Sequence, residues 1–391
     1  MDERQLENLA VSLKTPSFVF DTDILKARAA HVAEKVKPAK LCFAIKANPF
    51  LIKVMDAEVE RYEVCSPGEF HICVKNGVKM EKIVLSGVNK EYEDVRYAME
   101  QGVQHFTAES QQQFYLVNRC AEELDKQVQI LLRVTSGNQF GMDESVLIQV
   151  IHLSRENAWV EVEGIQFFSG TQKNSIKKLK RELTYVDAFI QRLEAEEDFQ
   201  VKELEFGPGL PVSYFQGEDF DEIAFLAEFS EVLGEMTSRV KLTFELGRSI
   251  AASCGTYMTS IVDAKVNKKQ NYAIVDGGIH QLVYYGQSMA MKHPYCHVLP
   301  EKEEGETVEW NLFGSLCTVN DILVKQMPVR NLRVGDVVVF EKTGAYSTTE
   351  GIALFLSRDL PKILLRGEDG TIQILRDAVD TDPLNTPSYN G

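Results

Sequence analysis

A single lysine, Lys46, stands within the short apolar segment 43–47, which Asn48 and Pro49 follow. The apolar residues predict a buried strand, and Pro49 ends it because proline lacks a backbone N–H and restricts the residue before it. Lys46 therefore lies near the C-terminal end of a strand, where α/β barrels place their chemistry. A buried ammonium is costly unless it is paired or deprotonated, and formation of a Schiff base with a carbonyl compound relieves that cost. The alternative is a lysine whose ammonium reaches the surface.

Three motifs at the ends of later apolar segments offer further polar groups. The G-P-G turn at residues 207–209 exposes backbone N–H groups that suit a phosphate, although it is also an ordinary turn. Glu245 and Arg248 place a carboxylate and a guanidinium on either side of Gly247, which also fits a local ion pair. Thr171 offers a hydroxyl beside a glycine, where helix capping is the alternative.

Two candidate residues lie in the C-terminal third of the chain. Cys317 stands among small and polar residues in the segment 314–321. A lone cysteine is usually a small buried hydrophobic residue, but the surrounding turn residues favour an accessible thiol. Tyr346 follows Gly344-Ala345, which predicts a turn that carries a phenol.

Short apolar segments alternate with amphipathic ones from about residue 24 to about residue 260. This alternation predicts parallel βα units, and eight strands is the number in a closed (β/α)8 TIM-like barrel. The predicted strands are Leu41–Ile45, Tyr62–Val64, Ile83–Leu85, His105–Thr107, Gln129–Val134, Glu163–Phe168, Glu203–Phe206 and Lys241–Glu245, and the predicted helices include Ser110–Glu123 and Lys177–Glu194.

The pattern after about residue 260 predicts a C-terminal antiparallel β domain, because β-rich segments are joined there by turn residues. These segments are Tyr257–Ala264, Tyr272–Val275, Leu282–Tyr285, Val308–Leu312, Asp336–Phe340 and Ile372–Leu375. We therefore predict an α/β protein with a barrel domain at 23–262 and a β domain at 263–391, which the N-terminal strand 10–22 joins.

The composition is that of a soluble globular protein, with 44% apolar and 26% charged residues among 391. No segment approaches the roughly 20 apolar residues of a membrane span, and the N-terminus has no apolar secretory region. The formal net charge of −16 argues against nucleic acid as a partner. Seven cysteines without a C-x-x-C motif indicate neither a disulfide framework nor a zinc ribbon, so we expect no metal and a cytoplasmic protein with reduced thiols.

The set of motifs, in this order, resembles one family. The chain is similar to the fold type III pyridoxal-phosphate decarboxylases, the ornithine and diaminopimelate decarboxylase group, which share the barrel of alanine racemase. The resemblance extends from Thr15 to about Leu365. Its motifs are A-I-K-A-N-P at 44–49, E-V-C-S-P-G-E at 63–69, G-T at 170–171, G-P-G at 207–209, E-L-G-R at 245–248, D-G-G at 276–278, G-S-L-C-T at 314–318 and G-A-Y at 344–346.

The resemblance implies pyridoxal 5'-phosphate (PLP) as the cofactor and a homodimer with shared active sites. Lys46 would hold the cofactor as a Schiff base, and Glu245 would keep the pyridine nitrogen protonated so that the ring draws electrons. Cys317 would come from the partner subunit and protonate the carbanion after CO2 leaves. The residues that the resemblance places around the phosphate are Gly207, Gly209, Gly247, Arg248, Thr171 and Tyr346.

The chain departs from the family pattern at several of these positions. Phe168 replaces the histidine that stacks on the cofactor ring, and Phe can stack but cannot hydrogen-bond. Pro208 removes one N–H donor from the phosphate turn, and Leu246 replaces a proline. Thr318 stands where an acidic residue commonly reads the distal ammonium of a diamine substrate, so the pattern disfavours ornithine, lysine and diaminopimelate.

The C-T-x-x-D segment, with Q-F-G-M-D-E at 139–144, is more similar to a branch of specialised metabolism that acts on conjugated amino acids. We predict decarboxylation of an α-amino acid attached to a carrier protein, a citryl group or a peptide–nucleotide, in antibiotic or siderophore biosynthesis, with Thr318 and Asp321 contacting the substrate. Three alternatives stay open: a decarboxylase of free diamino acids, a racemase or epimerase of the same fold, and a non-catalytic regulatory homologue. The Cys317 thiol favours decarboxylation over racemisation, and the presence of Lys46 and Glu245 disfavours the silent homologue.

Overall fold

The computed structural model describes residues 3–218 and 220–388. The chain folds as two compact units. The barrel unit comprises residues 28–211 and 220–250, and the β unit comprises the described residues of 1–27, 212–219 and 251–391.

The strands and helices are numbered here in chain order. The strands are β1 (Ser17–Asp21), β2 (Lys40–Ala44), β3 (Arg61–Val64), β4 (Ile83–Leu85), β5 (His105–Ala108), β6 (Val128–Val134), β7 (Val160–Phe168), β8 (Glu203–Gly207), β9 (Lys241–Leu246), β10 (Gly255–Asn267), β11 (Gln270–Val275), β12 (Cys296–Leu299), β13 (Thr307–Phe313), β14 (Ile322–Arg330), β15 (Val337–Glu341), β16 (Lys362–Arg366) and β17 (Ile372–Arg376). The helices are α1 (Glu3–Leu13), α2 (Thr22–Lys35), α3 (Ile52–Met55), α4 (Pro67–Lys75), α5 (Tyr92–Gln101), α6 (Gln111–Glu123), α7 (Glu144–Ser154), α8 (Ile176–Glu197), α9 (Glu222–Gly234), α10 (Arg248–Ala251) and α11 (Asp382–Asn385).

The barrel unit is a closed ring of eight parallel strands, β2 to β9, which confirms the predicted (β/α)8 barrel. The ring closes because β9 pairs with β2. Its strands are buried on both faces, as parallel strands covered by helices must be; all three residues of β4 are buried, for example. The carboxyl ends of the strands therefore share one end of the barrel, where loops can carry chemistry.

Polar residues fix where the helices of the barrel unit begin. The Ser66 hydroxyl accepts a hydrogen bond from the Glu69 N–H at 3.2 Å, and Pro67 occupies the first position of α4. The Ser110 hydroxyl accepts from the Gln113 N–H at 3.1 Å, so α6 begins one residue after the predicted start.

The β unit contains one nine-stranded sheet. Its main order is β14-β13-β11-β10-β1-β16-β17, and β15 pairs with both β10 and β12. The N-terminal strand β1 joins this sheet, antiparallel to β10 but parallel to β16. The mostly antiparallel sheet confirms the predicted β domain, and α1 packs on it through Leu6 and Ala10.

Three details differ from the predictions. Residues 282–285, predicted to be β-rich, contain no strand, because the N–H groups of Gln281 and Leu282 both bond to the Gly278 carbonyl and turn the chain. Residues 10–13, placed with the N-terminal strand, end helix α1. The two units divide between Ile250 and Ala251, whereas the boundary predicted at residue 262 falls within β10.

No helix in the described part of the chain combines the length and the apolar character required to cross a bilayer.

Candidate active site

Lys46 lies just beyond the carboxyl end of β2. Strand β2 ends at Ala44, and Lys46 is the middle residue of the single 3-10 turn Ile45–Ala47. Asn48 fixes the C-terminal end of this turn. Its N–H donates to the Ile45 carbonyl at 3.0 Å, and its side chain accepts from the Phe50 N–H at 3.1 Å. The lysine is thus held at the catalytic end of the barrel by a rigid local structure.

The Lys46 ammonium donates hydrogen bonds to two carboxylates and contacts one thiol. Its Nζ lies 2.5 Å from Glu63 Oε2, 3.3 Å from Glu245 Oε1 and 3.5 Å from the Cys65 sulfur. The side chains of Glu63 and Glu245 are 5% and 9% exposed, whereas that of Lys46 is 38% exposed. The lysine therefore remains open to a small molecule although its partners are buried.

The three charged groups shift one another's pKa. Burial and the negative charge of Glu63 raise the pKa of Glu245 above its usual range. Burial also acts to raise the pKa of Glu63, but the Lys46 ammonium outweighs it and lowers this pKa. Burial acts to lower the pKa of Lys46, but the two carboxylates outweigh it and raise this pKa well above its usual range.

A further carboxyl group lies inside the barrel, on β8. Glu205 is fully buried, and the Gln166 side-chain amide donates to its Oε1 at 2.6 Å. Among the described residues its Oε2 has no hydrogen-bond partner. Burial raises the pKa of Glu205 to about 7.

The sequence interpretation included Glu63 in a motif but gave it no role, and it missed Glu205. Each is a carboxylate within a short segment that forms a barrel strand, R-Y-E-V and E-L-E-F. A charged residue in a buried strand is the same signal that identified Lys46, and applying it to every strand would have found both.

The predicted phosphate turn lies against the loop that follows β7. Phe168, the last residue of β7, pairs with Gly207, and a Cβ on that glycine would lie 2.2 Å from the Phe168 ring. Gly209 has a left-handed backbone, φ +59°, and a Cβ there would lie 2.1 Å from the Gly170 carbonyl oxygen and 3.1 Å from the Thr171 Cα. Only glycine permits this close approach, so the structure brings the four predicted residues Phe168, Thr171, Gly207 and Gly209 together.

Gly170 leaves room beside this turn. Its own φ is +139°, and a Cβ at that position would meet no atom within 4 Å. The open space at Gly170 and the backbone of the two adjoining loops form a cradle that suits a phosphate group.

The E-L-G-R motif extends β9 toward Lys46. A Cβ on Gly247 would lie 2.9 Å from the Cβ of Ala47, so the end of β9 and the turn that carries Lys46 pack closely. Arg248 follows as the first residue of α10 and is buried. The motif thus places the Glu245 carboxylate beside the lysine.

These residues fit PLP. The Lys46 site holds one more carboxyl group than ammonium groups, and a protonated pyridine ring would supply the missing positive charge beside Glu245. The phosphate would be held by Thr171, the turn at 207–209 and Arg248. When bound, PLP supplies an electron sink for the electron pair that remains after CO2 leaves.

The other predicted site residues lie in the β unit. Cys317 is exposed, in the loop between β13 and β14. The neighbouring Thr318 hydroxyl accepts from the Asn320 N–H at 3.3 Å. Tyr346 occupies a separate turn with φ +66°, and its carbonyl accepts from the N–H groups of Thr349 and Glu350, both at 2.9 Å.

Asp321 has a structural task in the loop that carries Cys317. The residue is 1% exposed, and its two carboxylate oxygens accept from the N–H groups of Ile279, at 2.8 Å, and Leu316, at 2.7 Å. Both carboxylate oxygens of Asp321 are thus engaged by backbone N–H groups of the β unit, and its predicted contact with the substrate stays a prediction. The carboxylate fixes the loop that presents Cys317 and Thr318.

Comparison with known proteins identifies the family of the chain. Residues 22–252 match the family described as pyridoxal-dependent decarboxylase, pyridoxal binding domain. An L-glutamyl acyl-carrier-protein decarboxylase of Niallia circulans is 26% identical over 96% of this chain and 94% of its own length. A 2-((L-alanin-3-ylcarbamoyl)methyl)-2-hydroxybutanedioate decarboxylase of Staphylococcus aureus is 27% identical over 89% of this chain and 93% of its own length. The crystal structure of the diaminopimelate decarboxylase of M. jannaschii with L-lysine shares the fold, with a TM-score of 0.84 at 22% identity over 95% of this chain and 92% of that chain.

Fold and site together define a PLP-dependent amino acid decarboxylase. The chain belongs to the family of pyridoxal-dependent decarboxylases, and pyridoxal phosphate is its cofactor.

Proposed function

We propose that this enzyme removes CO2 from an α-amino acid that is attached to a larger molecule. The observation that carries the proposal is the absence of a free carboxylate in the loop of Cys317. Asp321 is the only carboxylate in residues 314–321, and both of its oxygens are engaged by backbone N–H groups. A free diamino acid carries a distal ammonium, which needs an ionic partner once it leaves water. Thr318 offers a neutral hydroxyl instead, which suits an amide or ester linkage.

Two relatives support this substrate class. By their names, one acts on a glutamyl group on an acyl-carrier protein and the other on an alanine joined to a hydroxybutanedioate. In both, the amino acid that loses CO2 is part of a larger conjugate. We extend this to a role in the cytoplasmic biosynthesis of a specialised metabolite, such as an antibiotic or a siderophore, with a carrier protein as a possible partner.

The proposed roles follow from charge and geometry. Lys46 binds the cofactor covalently, and Glu63 accepts the proton that the ammonium must lose, since its Oε2 is already the hydrogen-bond acceptor at 2.5 Å. Once that proton has moved, the ammonium no longer stabilises the Glu63 anion, and burial favours the neutral carboxyl. Glu245 pairs with the pyridine nitrogen, Phe168 stacks on the ring, and Cys317 of a second protomer in a homodimer gives the final proton.

A screen for CO2 release tests the proposal. The purified protein, loaded with PLP, is given carrier-bound amino acids, citryl conjugates, carboxy-aminopropyl nucleotides and the free amino acids ornithine, lysine and diaminopimelate. Mass spectrometry follows the loss of CO2, with Lys46→Ala as the inactive control. We expect turnover of conjugated substrates alone.

Each other outcome has a definite meaning. Turnover of free diamino acids would contradict the reasoning from Thr318 and Asp321 and make the enzyme a diamino-acid decarboxylase. Exchange of the Cα hydrogen for deuterium without CO2 release would favour a racemase or epimerase.

A further inference from the structure

A buried ion pair lies directly behind the phosphate turn, outside the residues assigned above. Lys173 Nζ and Glu182 Oε2 are 2.7 Å apart, and the two side chains are 1% and 9% exposed. Lys173 belongs to the loop that follows Phe168, and Glu182 lies on the inner face of α8. Burying such a pair adds little to stability, because replacement by apolar residues of similar volume is often neutral or stabilising. The ion pair of Lys173 and Glu182 therefore has a role other than general stability.

Lys173 binds both ends of the phosphate turn. Its ammonium donates to the Gly207 carbonyl at 3.3 Å, and its backbone N–H donates to the Gly209 carbonyl at 2.9 Å. Glu182 completes the connection, since the Ser169 hydroxyl donates to its second oxygen at 2.5 Å. One ion pair thus ties the turn, the loop after β7 and helix α8 to one another.

We propose that Lys173 and Glu182 are positioning residues that hold the phosphate turn against the loop 168–173 and thereby set the affinity for the phosphate group of PLP. The proposal rests on the assignment of residues 207–209 to the phosphate in the proposed function. Pro208 leaves this turn with fewer N–H donors than a turn of three glycines, so the direction of the remaining donors matters more. Both carbonyls that flank Pro208 accept hydrogen bonds from Lys173, which fixes the plane of each adjoining peptide.

The test compares PLP with pyridoxal, which lacks the phosphate. Removing one partner alone would leave a buried charge unpaired, so the informative variant is Lys173→Met/Glu182→Gln, in which the amide can still accept from Ser169. The cofactor-free protein is titrated with each compound, and binding is followed by quenching of protein fluorescence and by visible absorbance. We expect the Kd for PLP to rise about tenfold, as for loss of a charge-assisted contact, and the Kd for pyridoxal to change less than about twofold.

A matched control exists at the other end of the barrel. Arg61 and Glu203, the first residues of β3 and β8, form an equally buried ion pair, with side chains 6% and 1% exposed. Arg61→Met/Glu203→Gln should leave the ratio of the two affinities unchanged, whatever its effect on thermal stability. The conservative variant Lys173→Arg keeps the positive charge and the N–H donors, so it should retain most of the preference for PLP over pyridoxal.

Two results would overturn the inference: an unchanged ratio of affinities in Lys173→Met/Glu182→Gln, or the same change of ratio in the control at Arg61 and Glu203. Should the double variant fail to fold, Ser169→Ala gives a milder test, with an expected loss of about twofold to threefold for PLP alone. Failure of the proposed function is distinguishable, because the unaltered enzyme would then bind PLP with the expected ratio and still release no CO2 from conjugated substrates.

Discussion

Replacing Gly209 by alanine should weaken PLP binding while leaving the barrel folded. Gly209 has φ +59°, and an L-residue in this left-handed conformation costs about 1–2 kcal/mol. The added Cβ would also lie 2.1 Å from the Gly170 carbonyl oxygen, whereas real contacts of this kind are at least 3.0 Å. The loop after β7 must therefore move by about 0.9 Å, the difference between the two distances, because neither contacting group is a flexible side chain.

A displacement of this size is large for a site that positions a phosphate. Loss of one hydrogen bond to a charged group costs about 1.5–3 kcal/mol, so we expect the Kd for PLP to rise by about 10- to 100-fold. The assay is a titration of the cofactor-free protein with PLP, together with its thermal unfolding. Gly77→Ala is the matched control, since Gly77 has a similar φ of +70° but a Cβ there would meet no atom within 4 Å.

The control separates backbone strain from displacement of the cradle. Both variants should lose a similar amount of stability from the left-handed conformation, and only Gly209→Ala should lose PLP affinity. Equal affinities for PLP in Gly209→Ala and the unaltered protein would refute the assignment of this turn to the phosphate. A loss in Gly77→Ala as well would show that the affinity merely follows stability.

Four further predictions concern the chemistry. Lys46→Ala should abolish the covalent attachment of PLP, measured by borohydride reduction and peptide mass spectrometry; a pyridoxyl group on another lysine would contradict the assignment. Cys317→Ala should keep PLP but lose most amine formation. If the sites are shared across a homodimer, mixing the Cys317→Ala and Lys46→Ala proteins should restore up to about one quarter of the activity of the unaltered enzyme. Thr318→Asp should shift turnover toward substrates with a distal ammonium, which competition between free and conjugated amino acids measures. Glu205→Gln should become more stable relative to the unaltered protein as the pH rises from about 4.5 to above 7. Burial raises the pKa of Glu205 from 4.5 to about 7, so its neutral form stabilises the fold at low pH and this stabilisation is lost as the pH rises. The pH-dependent difference is about 3 kcal/mol at about 1.4 kcal/mol for each pH unit, and a pH-independent difference in chemical denaturation would exclude it.

The barrel and its lysine could be predicted because local signals determine them. Apolar segments with strand-like composition recur at regular spacing, and each predicted barrel strand lies within about three residues of an observed one. Lys46 was identifiable because Pro49 ends its segment and fixes the carboxyl end of the strand. Since parallel strands bring their carboxyl ends together, the proximity of Lys46 and Glu245 followed from topology alone.

Contacts between distant segments could not be predicted in this way. Asp321 has the chemical character and the sequence position of a ligand-binding residue. Its carboxylate oxygens instead accept hydrogen bonds from the N–H groups of Ile279, about forty residues away in sequence, and Leu316. The ion pair of Lys173 and Glu182 could not be predicted either, because nothing in the sequence indicates that a lysine and a glutamate nine residues apart are buried together. In both cases the missing information is the solvent exposure of a polar side chain.

The electrostatics at Lys46 fit both the ion pairs of the site and the cofactor. Two buried carboxylates beside one lysine would leave an unpaired negative charge, which burial makes costly. The raised pKa of Glu245 relieves this cost, because the carboxyl can hold a proton while Glu63 stays ionised against Lys46. A proton held on Glu245 is also the proton that a pyridine nitrogen would need in order to draw electrons from the substrate. The same shift in pKa that relieves the excess of negative charge beside Lys46 therefore prepares Glu245 for its proposed partner, and the two requirements do not compete.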